Sequence, residues 1–376
     1  MSGTDAITGS SNFDICENII LKLIEKSIDK NVVIAMLCKT SVARNVLLEL
    51  DRNDTCVDSV KMYNFNSLKV FGISAPACML YIKMSTSKNR CRQCEVFDIE
   101  TPHLLCRIIS FQNGRLCNSN DGVLDLEGES VIEWRQGVKH DCARVMELEK
   151  IDDHCYKNKN KEEVQLEDSL VFPLMKSSSF KKPVINSNFM KYVIVTQKKS
   201  RGETAYIEKI APKTWKYLSD RREAFDSRKS SIYNGAPKFS IFGVGDYSYA
   251  EYKVGISGFY KKPLFVLLYN KNEIEQPIMV DDTSYFLSFD NYSDAYTCML
   301  LLNSERVQDF LLSISLLDAK RPYTKRVLQR LDFNKCILNI ALEELVDTEK
   351  KLKLPETITA QMYLDFAKSI VGLKKV

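Results

Sequence analysis

Histidine is nearly missing from this sequence: His103, His140 and His154 are the only three in 376 residues. A structural zinc site takes four ligands, commonly two Cys-x-x-Cys pairs or one such pair with two histidines. One such pair is present, Cys91 and Cys94 in "CRQC", and no second follows. No metal site is expected. Also missing is any apolar run near the ~18 residues that span a bilayer. The N-terminus lacks the basic stretch followed by an apolar one that marks a secreted chain. Those two absences predict a cytoplasmic protein with no membrane role. The 12 cysteines follow no framework spacing, and Cys38, Cys78 and Cys298 sit inside apolar runs. There a thiol acts as a small hydrophobe, so the cysteines are expected to be reduced.

What is present is globular: 45% of residues are hydrophobic and 27% charged, enough for two or three domains. The net charge of +4 is unevenly spread. Between Lys191 and Lys262 there are 15 Lys/Arg against 7 Asp/Glu, with 13 of the 37 aromatics. Basic residues interleaved with aromatics suit a surface that meets phosphates and bases. They equally suit a β-rich domain with tyrosines inside and lysines outside.

The apolar periodicity places a helix from a cap at Asp14 to about Ser27, with Ile15, Ile19, Leu23 and Ile24 on one face. A buried strand is expected from Asn31 to Cys38. Thr40 or Ser41 caps a second helix with Val42, Val46, Leu47 and Leu50 inward. "SVKMYNF" and "APACMLYIKM" read as two more strands. Helix, strand, helix, strand, strand is the closing part of a doubly wound α/β sheet, too small to stand alone. From about Ser87 short strand-like runs alternate with Gly-, Asn-, Ser- and Lys-rich loops, among them "YKNKNKEEVQLED". Helical periods return in "SERVQDFLLSISLLDA", in "YTKRVLQRL", and in tail helices from about Leu338 and Thr359. The fold class expected is α/β plus α+β: a partial doubly wound, Rossmann-like sheet over 1–86, a mixed α+β domain over 87–335, and a helical tail over 336–376.

The opening stretch "DAITGSSNFDICENIILKLIEKSIDKNVVIAMLCKTSVARNVL" resembles the part of a gamma-class adenine-specific DNA methyltransferase, of type II and IIG restriction–modification systems, that follows the catalytic motif. "KVFGISAPACMLYI", "WRQGVKHDCARVMEL", "KYVIVTQKK", "APKTWKYL", "SRKSSIYNGAPKFSIFGVGDYSYAEYKVGISGFYKK" and "LLNSERVQDFLLSISLLDAKRPYTKRVL" are similar to later parts of the family. The last of these are similar to its target-recognition domain. The resemblance covers roughly residues 3 to 335. The family's cofactor-binding glycine loop and its Asn-Pro-Pro-aromatic motif are absent. The single Gly-x-Gly, Gly243 and Gly245 in "FGVGD", falls in the recognition region and reads as a loop.

The resemblance implies S-adenosylmethionine chemistry on DNA, but only together with a protein partner that supplies the missing half. Alone, the chain is expected to be inactive. Its contribution would be the second wall of a base pocket. The target adenine must be flipped out of the stack, and Phe71 occupies the family position that stacks on it. Without the resemblance, Phe71 reads as packing at a strand start. Phe13 falls where the family lines the cofactor pocket, though a helix start also buries such a ring. Double-stranded DNA would be gripped by Lys198, Lys199, Arg201, Arg228 and Lys229 at phosphates. Arg135, Lys139 and His140 are candidate contacts in a polar loop; Lys139, His140 and Asp141 could instead cap a turn. Asp246, Tyr247 and Tyr249 shape either a DNA-facing loop or the domain interior. A DNA-binding specificity module without catalytic duty is the alternative. A metal-dependent nuclease is disfavoured, since no compact Asp…Glu-x-Lys cluster occurs.

Overall fold

The computed structural model describes residues 14–373, apart from 85, 87, 88, 119–123, 188, 272–275, 318 and 356. Phe13 therefore lies outside the described residues. The chain divides into two compact units, 1–122 with 312–320, and 123–311 with 321–376.

In the first unit, helix α1 (Ile15–Lys26) starts where expected, with the Asp14 carboxylate accepting from the Cys16 amide at 3.1 Å. Strand β1 (Val33–Lys39), helix α2 (Thr40–Arg52), strand β2 (Val57–Phe65), helix α3 (Ser67–Phe71) and strand β3 (Ala77–Met84) follow. The sheet does not stop at residue 86, where the composition changes. Strands β4 (Gln93–Asp98), β5 (Thr101–Gln112) and β6 (Arg115–Asn118) join it in the order β1-β3-β2-β4-β5-β6. Only β2 and β4 pair in parallel. One parity of each strand (Cys38, Leu80, Met62, Val96, Phe111) shares a core with Ile20 and Ile24 of α1 and with Val42, Val46, Leu47 and Leu50 of α2. The returning segment 312–320 closes the unit. Asn118 donates to the Leu312 and Ser315 carbonyls at 3.2 and 2.8 Å, and Leu316 packs on the core.

Two expectations change here. The doubly wound layering is not what the sheet shows, because both helices feed one core on one face. Nor is β1 a buried central strand: it pairs antiparallel with β3 at the edge of the sheet, and Leu37 is 55% exposed. The run was apolar at every position, so alternation could not reveal which side faces out. Likewise Ile15, Ile19 and Leu23 of α1 are exposed; the helix buries Ile24 as expected, with Ile20 beside it.

The second unit holds two mixed sheets. The first comprises β8 (Glu147–Asp152), β9 (Cys155–Asn158), β10 (Glu163–Gln165), β11 (Val171–Met175), β13 (Tyr192–Ile194) and β16 (Met279–Val280), in the order β10-β9-β8-β13-β11-β16. The second is β12-β15-β14-β17-β7, from Val184–Ile185, Phe265–Leu268, Tyr252–Ser257, Ser284–Phe289 and Arg135–Gln136 respectively. "YKNKNKEEVQLED" is thus no loop: β9 and β10 form an antiparallel hairpin within it. A helix from Tyr292 to Asn303, α4, lies against β14, β15 and β17. It is buried continuously from Ala295 to Leu302, so it carries no amphipathic period to read. The tail helices are Phe333–Asn339, Leu342–Lys351 and Ala360–Gly372, the last capped by Thr359 as expected.

Candidate nucleic-acid interface

In the first unit, Phe71 ends the short helix α3. The Asn66 side chain caps the helix by accepting from the Lys69 amide at 3.0 Å, and Gly72 closes it in the left-handed region at φ +68°. Ser67 Oγ donates to the Ala75 carbonyl at 2.6 Å, and the Thr40 amide to the Pro76 carbonyl at 3.1 Å. These bonds fix the loop 66–76 beside the carboxyl end of β1. The Phe71 ring is 54% exposed and touches Phe65 edge-on, with centroids 5.8 Å apart. Leu68, Val70 and Ile73 are exposed beside it in sequence. Phe71 is therefore not a strand-start core residue. An open ring on an anchored loop has a free face for a planar partner.

A cofactor cradle is not found alongside it. The described glycines of this unit, Gly72 and Gly114, stand in open turns with nothing within 4 Å of an added Cβ. Neither forms the tight strand-to-helix turn through which a backbone approaches such a ligand. Among the described residues no group of His, Cys, Asp or Glu is placed to hold a metal ion. The Cys94 side chain lies in the core.

In the second unit the candidate residues gather around one segment, Phe239–Tyr249. Lys139 and Phe242 exchange backbone hydrogen bonds at 2.8 Å in both directions. Ser200 donates its amide to the Val244 carbonyl at 3.2 Å. Beneath the turn that carries Lys198, Lys199 and Arg201 lies Gln197, fully buried: its Oε1 accepts from the Ile241 amide at 2.8 Å and its Nε2 donates to the Gly202 carbonyl. That carboxamide holds the basic turn against the 239–249 segment. Nothing in the pattern "VTQKKS" marks it, since a buried polar residue is legible only once its partners are placed. Lys198, Lys199, Arg201 and Lys229 are exposed. Arg201 sits at φ +61° with its guanidinium 5.9 Å from the Phe242 ring centre.

Other candidates are committed elsewhere. Arg228 donates to the Ser240 and His140 carbonyls at 2.7 and 3.2 Å and lies 3.6 Å from the Tyr233 ring centre, so it braces the loop. His140 fits the turn-capping alternative: it is buried, its Nδ1 accepting from the Cys142 amide at 3.1 Å. Burial lowers its pKa, against the opposing pull of Glu147 at 3.6 Å. Lys139 Nζ lies 3.4 Å from Asp141, and Arg135 stacks 4.6 Å from the Tyr247 ring centre while pairing with Glu133. Tyr249 donates to the Gln197 carbonyl at 3.0 Å, and burial pushes its phenol up to about 12. Asp246 is exposed.

The Gly-x-Gly of "FGVGD" has a packing reason. Gly243 lies at φ +69°, and a Cβ there would stand 2.3 Å from the Gly137 carbonyl oxygen. Gly243→Ala is expected to destabilise the second unit by about 3 kcal/mol, from left-handed strain plus overpacking. Urea unfolding measures it; a change below about 0.5 kcal/mol, the range of an ordinary surface substitution, would show that the two backbones can part freely.

With this arrangement established, comparison places the chain in a family. Over 336 residues it is 40% identical to the type II methyltransferase M.NspV of Nostoc sp., a match covering 88% of this chain and 68% of that protein. The chain belongs to the type II methyltransferase family of restriction–modification systems. No family model matches it. It is also similar in structure to the type IIL restriction-modification enzyme MmeI, solved in complex with DNA (TM-score 0.49, 11% identity, 97% of this chain and 50% of that one). A second solved structure to which it is similar is that of the type IIG restriction endonuclease BpuSI (TM-score 0.35, 11% identity, 94% and 48%). The chain thus spans about half the length of these two solved enzymes. No described helix is long and apolar enough to cross a membrane.

Proposed function

We propose that the chain forms part of a site-specific DNA adenine-N6 methyltransferase in the cytoplasm, contributing the base-pocket wall and the DNA-recognition unit. The observation that carries this reading is the exposed Phe71 ring on its anchored loop. A flipped adenine loses its stacking partners, and an aromatic face returns about 1–3 kcal/mol per base. In the second unit, the exposed Lys198, Lys199, Arg201 and Lys229 neutralise phosphates, while Lys139 and Arg135 flank the 239–249 segment. Asp246 and Tyr247 shape the loop between them. The catalytic-domain role falls to the first unit, 1–122 with 312–320, and recognition to the second, whose residues 336–376 form the helical tail.

S-adenosylmethionine supplies the methyl group in this chemistry, and the described residues of this chain do not form its cradle. A protein partner carrying the glycine loop and the Asn-Pro-Pro-aromatic motif is therefore part of the proposal. The open edge of β1 favours it, with Val33 and Leu37 both exposed. Apolar groups set along an unpaired strand are a poor end state for a lone soluble chain. The missing cradle also favours a second reading, a specificity module with no catalytic duty.

Methyl transfer from labelled S-adenosylmethionine to mixed-sequence duplex DNA separates the two. The chain alone is expected to be silent, with activity appearing when a polypeptide bearing the two missing motifs is added. Activity of the chain by itself would overturn the division of labour. Salt-sensitive DNA binding with no activity in any mixture would leave the specificity module.

A further inference from the structure

The β9–β10 hairpin, with β8 and the residue before β13, builds a cavity of about 350 Å3. Lys157, Lys159, Lys161 and Lys191 line it, against Glu147 and Glu149. The pairing register explains the convergence. Glu149 lies opposite Lys157, and Tyr192 opposite Leu148, so Lys191 falls beside Glu149 on the same face. Glu147 is buried and already neutralised: its oxygens lie 2.7 Å from Lys159 Nζ and 2.7 Å from Lys176 Nζ. Burial alone would raise its pKa, but those two ammonium groups hold it below the usual carboxylate value. Lys161 and Lys191 form no ion pair with a carboxylate among the described residues. Lys157 lies 3.6 Å from Glu163, so the excess positive charge of the lining rests on Lys161 and Lys191.

The hairpin is also rigid where it needs to be. Buried Asn158 accepts from the Asn160 and Glu162 amides at 2.9 and 3.1 Å and donates to Glu162 and the Tyr217 hydroxyl. Lys161 is thereby held at φ +67°, a conformation where asparagine or glycine would cost less. The Lys198–Arg201 turn is built the same way, on buried Gln197 with Arg201 at φ +61°. Each turn has a buried carboxamide beneath and a cation at a left-handed position. Lys191 and Lys198 are seven residues apart, at most about 25 Å along an extended chain. That is about seven base-pair steps of one DNA strand.

We propose that the Lys157–Lys161–Lys191 cavity is a second phosphate-binding site, which takes a backbone phosphate of the same DNA duplex held by the Lys198–Arg201 turn. This rests on the reading that the second unit binds DNA. The anion chemistry alone would also admit free phosphate, and the test distinguishes the two sources.

The variant is Lys161→Gln with Lys191→Gln, which breaks no ion pair among the described residues. Binding of the full chain to a fixed duplex is measured across salt concentrations, with thermal unfolding as the check on folding. Loss of two phosphate contacts is expected to reduce the slope of log K against log [salt] by about 1.8. Affinity should fall alike for every duplex sequence, leaving sequence preference unchanged. An unchanged slope in a folded variant overturns the inference while leaving the DNA-binding reading intact. No salt-dependent binding by the parent chain overturns that reading and this site with it. Saturable binding of inorganic phosphate that the variant loses, with no change in the DNA slope, would assign the cavity to free phosphate and also overturn the proposal.

Discussion

Lys253→Met is expected to stabilise the second unit by about 4 kcal/mol at pH 7 and to remove much of its pH dependence. Lys253 lies in β14, between β15 and β17, and its side chain is 1% exposed. Its ammonium donates to the Ala250 carbonyl, and no ion pair with a carboxylate is found for it among the described residues. Burial without a counter-charge pushes its pKa down to about 7. The sign follows from proton counting. From about pH 10.5 down to about 7 the unfolded chain holds a proton that the folded chain lacks, so stability falls as pH falls. Each pH unit costs about 1.4 kcal/mol, and below pH 7 the curve flattens. Methionine carries no such proton and fills a similar volume. Urea unfolding of both proteins between pH 6 and 10 measures the difference. Parallel curves for parent and variant would mean that the amine is charged and paired inside the fold.

Phe71→Ala is the second large expectation. With a complementing polypeptide present, methyl transfer should fall about 10–100-fold, the equivalent of 1–3 kcal/mol of stacking. The stability of the first unit should change by less than about 0.5 kcal/mol, since the ring is more than half exposed. Phe71→Trp should restore transfer, because it restores a planar face. The fluorescence of 2-aminopurine at the target base gives a readout that activity alone does not: flipping should weaken in the alanine variant and recover in the tryptophan one. Full activity in Phe71→Ala, or a loss matched by unfolding, would remove this residue from the pocket.

Local signals in the sequence carried a good part of this structure. Asp14 before an apolar period marks a capped helix, and Thr359 marks another, because capping is a contact between residues two or three apart. The basic turn at Lys198–Arg201 and its exposure were legible from charge. Pairing was not. Whether "VVIAMLCK" lies at the centre or the edge of a sheet is decided by other strands, and an unbroken apolar run looks the same in both places. His140 stood open between a DNA contact and a turn cap for a related reason: only its placed partners, Cys142 and Glu147, show the ring received inside. The lysines of "YKNKNK" looked like a solvated loop because alternation with asparagine hides a strand whose hydrogen bonds go to distant residues.

The return of residues 312–320 to the first unit bears on how the molecule is made. As the chain emerges from a ribosome, Asn118 waits for its partners Leu312 and Ser315. About two hundred residues must be synthesised in between. At about 5–20 residues per second that is an interval of about 10–40 s. During it the first unit stands unfinished, with the place for Leu316 uncovered. The same threading governs exchange of specificity between relatives: a graft of the second unit needs cuts near 122, 311 and 320 rather than one. A single-junction chimera would separate Asn118 from the segment that satisfies it.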